Sequence, residues 1–150
     1  MNKMEEFLAQ LDSLSAAFIE ELKSVLPDFE RFLVIADHVG LIIPARHRQT
    51  GDMHIWLHDD QITVAIGLSF HWRFFTHDFA SDDPTWQPHE NEREAAREAV
   101  KFIRDVLADK VVLYVSSHTA GSYDRGSTSQ PPMEPGMREY VWSGPFMREG

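Results

Sequence analysis

From Met53 to Phe75 the chain alternates. Met53, Ile55 and Leu57 are apolar, with His54, Trp56 and His58 between them, and Ile62, Val64, Ile66, Leu68, Phe70, Trp72 and Phe74 resume the alternation. A period of two predicts half-buried β-structure, with one face on a core and the other turned outward. Asp59-Asp60 separates the two runs and suits a tight turn. With a two-residue turn there, Leu57 opposes Ile62, Ile55 opposes Val64 and Met53 opposes Ile66, so all six fall on one side. The second run reads as one long strand, 61–75, bulged or bent at Gly67, because glycine within a strand marks such a place. On its other face Thr63, Ala65, Gly67 and Ser69 are all small, which predicts close approach of a helix or another backbone.

Elsewhere the apolar spacing changes to three and four. Met4, Phe7, Leu8, Leu11, Leu14, Phe18, Ile19, Leu22, Val25 and Leu26 predict one amphipathic helix over 4–26, ended by Pro27. Residues 29–38 satisfy helix and strand patterns equally, and 39–43 (VGLII) reads as a strand. Residues 44–52 form a polar loop carrying the only compact basic cluster, Arg46-His47-Arg48. A turn-rich connection over 78–89 leads to a second helix, from His89 or Asn91 to about Ala108, with Ala95, Ala96, Ala99, Val100, Ile103, Val106 and Leu107 as its buried stripe. The nearly continuous apolar run 111–116 then reads as a central strand. Residues 118–137, rich in Gly, Ser and Pro, read as a long mobile loop, and 138–143 as a last strand. The order α-β-β-β-α-β-β implies a single α+β domain over 1–150. Its sheet would be mainly antiparallel, of about five strands, with two main helices on one face. That order resembles small acidic bacterial proteins such as secretion chaperones and toxin-immunity proteins, although no motif ties the chain to either family.

Composition narrows the setting. A chain of 150 residues with 43% hydrophobic and 25% charged residues is ordinary for a globular domain. Without cysteine there are no disulfides, thiolate nucleophiles or cysteine-held metals. The acidic, amphipathic N-terminus is neither a secretory signal nor a transit peptide, and no apolar run suggests a membrane span, so a bacterial cytoplasm is the expected location. A net charge of −10 argues against nucleic acid. Seven acids against two lysines over 1–30 suggest either a solvated helix face or a docking surface for a basic partner.

Candidate chemistry thins out on inspection. Eight histidines include five between positions 54 and 89. His54 and His58 have the spacing that places two metal ligands on a helix face, but in a strand their backbones stand about 13 Å apart. No metal or other cofactor is expected. Gly121–Thr128 imitates a phosphate loop, yet Ser127 replaces the lysine, Asp124 adds negative charge and Pro131-Pro132 blocks the following helix. Ser117 and His118 are adjacent and point to opposite faces, and the acid pairs 59–60 and 82–83 suit turns. The balance is against an enzyme.

What remains is a surface. Trp56 lies off the core register between His54 and His58, and Phe75 likewise stands near Arg73 and His71. Aromatic, Arg and His side chains on an uncovered face have the composition of a protein interface. Trp86, Tyr140 and Trp142 would extend it. The sequence thus suggests a small acidic binding module, of an adaptor, chaperone-like or immunity-like kind. It would act through protein–protein contact, with a basic protein or a second copy as partner. Its surface would be His54, Trp56, His58, His71, Arg73 and Phe75, joined by the 118–137 loop. The competing reading is a small-ligand binder or histidine-dependent enzyme with a pocket between the sheet and that loop, using His71, His77 or His118 for proton transfer.

Overall fold

A computed structural model describes residues 5, 6, 9, 11–35, 39–58 and 60–148. Backbone at Glu5, Glu6 and Ala9 is helical, and helix α1 then spans Ser13–Leu22. The expected single helix over 4–26 is interrupted because Asp12 is extended (ψ 174°) and its carboxylate accepts the Ser15 N–H at 2.7 Å. An aspartate in that position starts a helix instead of continuing one. Met4, Phe7 and Leu8 of the expected stripe lie outside the described residues. A 3-10 turn at Phe29–Phe32 and strand β1 at Leu33–Ile35 settle most of the ambiguous segment, while 36–38 lie outside the described residues.

Five strands form an antiparallel meander in the order β1-β2-β3-β4-β5, with β2 Val39–Ile43, β3 Met53–His58, β4 Gln61–Ile66 and β5 Phe70–Phe75. The β3–β4 register is the expected one: Leu57 opposes Ile62, Ile55 opposes Val64 and Met53 opposes Ile66. The long strand expected over 61–75 is instead a second hairpin. The chain reverses at Gly67–Ser69, Ile66 opposes Phe70, and Leu68 stands fully exposed at the tip. Gly67 has φ +59°, and a β-carbon on it would sit 2.8 Å from the Thr50 carbonyl oxygen. The close backbone approach is therefore real, and it comes from the 50–51 segment, not from a helix.

Helix α2 spans Pro88–Leu107, opened by a capping box between Gln87 and Glu90 with proline in its first turn. Its buried stripe, Ala95, Ala96, Ala99, Val100, Ile103 and Val106, packs with Leu14, Phe18, Ile19 and Leu22 of α1 against the apolar face of the meander. Trp72 closes on Phe102 with ring centroids 4.6 Å apart. Asp109, in the left-handed region at φ 60°, turns the chain out of α2, and its carboxylate accepts from the Ser143 N–H and hydroxyl.

The remaining strands form a second sheet, so the expected single sheet is two antiparallel ones within an α+β fold. Its order is β7-β6-β8-β9, with β6 Val111–Val115, β7 Ala120–Asp124, β8 Arg138–Val141 and β9 Gly144–Pro145. Strand β6 is central, as its continuous apolar run implies. Val111 and Leu113 enter the main core, whereas Val112 packs with Tyr123 and Val141 on the reverse face. Strand β7 divides the expected 118–137 loop into a short turn and the segment 125–137.

Candidate functional site

The six candidate residues are brought onto one face of the meander. Register places them in cross-strand rows: His54–Ala65–His71, Trp56–Thr63–Arg73 and His58–Gln61–Phe75. Each row spans two strand spacings, so its ends are about 9–10 Å apart. Both helices pack on the other face. His71 and Arg73 are exposed, and His54, Trp56, His58 and Phe75 are half-buried.

Local sequence explains how Trp56 is seated on the face. Gly40 opposes Trp56, and a β-carbon on Gly40 would strike the Trp56 six-membered ring. The indole therefore lies over the β2 backbone with nothing beneath it to tilt it away. The His54 ring lies 6.4 Å from it at 38°. The Gln61 amide nitrogen stands 3.3 Å and 3.4 Å from the two ring nitrogens of His58. At the far corner the Phe75 ring is 5.2 Å from that of His77, whose Nε2 is 3.4 Å from Asp78 Oδ1. Small Thr63 and Ala65 run down the middle, between the β3 and β5 side chains.

None of the six is an acid. Of the seven acids over 1–30 that suggest a basic partner, Glu20 and Glu21 stand on α1 behind the sheet, where with Glu92 and Arg93 they line a groove of about 240 Å³ between α1 and α2. The expected extension of the aromatic patch is also absent. Trp142 is buried in the main core and Tyr140 is buried in the second sheet. Trp86 is half-buried, its indole N–H donating to Asn91. The 118–137 segment lies with the second sheet, tied down where Arg148 Nη2 donates to the Pro131 carbonyl at 2.6 Å.

His71 and His118 are exposed on separate elements, and His77 engages Asp78 and Asp60, so the three are not brought into one acid–base arrangement. Asp83 is a turn residue: its carboxylate accepts from the Thr85 backbone N–H and hydroxyl, and those bonds hold it below the usual aspartate range. Among the described residues no group of three or more His, Asp or Glu is placed to hold a metal ion. Also among them, no helix is long and apolar enough to cross a membrane.

One polar cluster carried no mark in the sequence. Glu139, in β8, is buried, accepting from Tyr123 Oη at 2.5 Å and Arg148 Nε at 2.8 Å. Tyr123 and Glu139 meet through the pairing of β7, β6 and β8, and Arg148 follows strand β9, which pairs with β8. Comparison with known protein families, curated proteins and solved structures finds no match.

Proposed function

We propose that this protein is a small cytoplasmic binding module that engages a partner protein through the open face of the five-stranded meander. The observation that supports this reading is the gathering of His54, Trp56, His58, His71, Arg73 and Phe75 on a sheet face that neither helix covers. Aromatic rings and arginine give large contact area for little ordering cost, and such residues dominate interface energetics. The absence of a carboxylate among the six favours a neutral or acidic partner surface here, so a basic partner would dock on the helical side.

The test begins with affinity capture from the native cytoplasm at moderate salt, followed by titration calorimetry with the partner recovered. Trp56→Ala and Arg73→Ala should each weaken binding about tenfold or more, since truncating an interface anchor costs roughly 1–2 kcal/mol or above. Both side chains lie outside the core, so thermal midpoints should hold. Unchanged affinity in both variants would sink the assignment of this face.

A further inference from the structure

Two adjoining cavities share Gln49, Arg138 and Tyr140: one of about 350 Å³ between the two sheets, and one of about 490 Å³ formed by the second sheet, the segment before β8 and the 44–52 loop. Three large apolar side chains stand exposed among the described residues, and all three line this cleft. Leu68 borders the smaller cavity, and Met133 and Met147 border the larger. Isolated exposed apolar residues are ordinary, but their concentration in one concavity marks a binding surface. Methionine adapts to varied shapes, which suits recognition of a peptide.

The charge of the cleft runs against that of the chain. Arg48 and Arg138 are exposed, and neither side chain has an ion-pair or hydrogen-bond partner among the described residues. Glu139, the one carboxylate in the lining, is already engaged by Arg148 and Tyr123. Three arginines against one glutamate leave a positive excess inside a protein of net charge −10. The walls are anchored: Thr50 Oγ1 donates to the Val141 carbonyl at 3.2 Å, and Gly51 packs on Gly67. None of the six open-face residues lines either cavity.

We infer that this cleft is a second interaction site, which takes an acidic peptide segment of a partner protein. Apolar side chains of the peptide rest on Leu68, Met133 and Met147, and its carboxylates pair with Arg48 and Arg138. A selection of random short peptides displayed on phage, with the full chain as bait, tests this. The recovered sequences should combine Asp or Glu with Leu, Met or Phe. A synthetic copy of one should bind about tenfold more weakly to Arg138→Ala and to Arg48→Ala, in keeping with loss of a charge-assisted contact. It should bind unchanged to Trp56→Ala, which separates this site from the open face. Both arginines are exposed, and circular dichroism confirms that the variants fold. Basic or uncharged selected peptides, or affinity unmoved in both arginine variants, would overturn the inference. So would an empty selection, including one accompanied by arginine-dependent binding to phosphatidylserine vesicles, which would assign the cleft to a membrane surface.

Discussion

Glu139 is the residue whose chemistry is most constrained. Its side chain is 2% exposed, and burying a carboxylate is costly unless its oxygens are satisfied. Tyr123 donates to one oxygen and Arg148 to both, while the Arg148 guanidinium also sits 5.6 Å over the Tyr123 ring. The tyrosine records this environment. Burial first, then its hydrogen bond to Glu139 and the charge of Glu139, push the phenol up to about 12, with Arg148 opposing. A group whose folded value is raised contributes stability that is complete below its unfolded value, here about 10, and is lost as pH climbs through the folded value. Stability should therefore fall between pH 10 and about 12, and Tyr123→Phe should flatten that fall. Urea midpoints at stepped alkaline pH measure the difference. Equal slopes in the two proteins would mean that the phenol is not held in its neutral form.

At the scale of elements, the two hairpins show what an alternating pattern can and cannot reveal. The β3–β4 register was legible because the turn residues and the period of two agreed on one pairing. The β4–β5 reversal was not, and the reason is parity. Ile66 pairs with Phe70, four positions on, so the chain turns back with its apolar residues on the same face that an unbroken strand would give them. Gly67 was the visible sign, and a bend and a reversal share it. Strand β7 was hidden differently: AGSYD has no alternation, and Gly121 is small because the Tyr114 ring occupies the place of a side chain. The turn at Gly67 supports a quantitative expectation. Gly67→Ala places a β-carbon against the Thr50 carbonyl and forces a left-handed residue, a cost of about 1–3 kcal/mol. The urea midpoint should drop with the m-value unchanged. Leu68→Ser, one residue on, should stay within about 0.5 kcal/mol, because that side chain packs on nothing. If the two substitutions cost the same, the backbone contact between the 50–51 and 67 segments is not what fixes the turn.

For the whole molecule, legibility follows sequence distance. The open face is written in one stretch, 53–75, so alternation put its six residues on one face, but only the β4–β5 reversal brings His71, Arg73 and Phe75 beside His54, Trp56 and His58. The cleft is assembled from five separated segments around Arg48, Leu68, Val115, Arg138 and Met147, and only the Arg46-His47-Arg48 cluster hinted at it. What joins those segments is packing between the sheets. Val111, Leu113 and Trp142 of the second sheet share one core with Met53, Ile55, Val64 and both helices. The Thr50–Val141 and Asp109–Ser143 hydrogen bonds add polar ties across the same junction. Sheets that share a core should not melt separately. Tryptophan provides a reporter on each side, Trp72 in the meander and Trp142 in the turn that joins β8 to β9 of the second sheet. A variant keeping only Trp72 and another keeping only Trp142, the rest replaced by phenylalanine, should each show fluorescence and far-ultraviolet circular dichroism midpoints that coincide in urea. A Trp142 signal that moves before the circular dichroism would mean that the second sheet opens on its own. The cleft, whose walls come from both sheets, would then be lost before the open face, and the two binding sites would respond differently to mild denaturant.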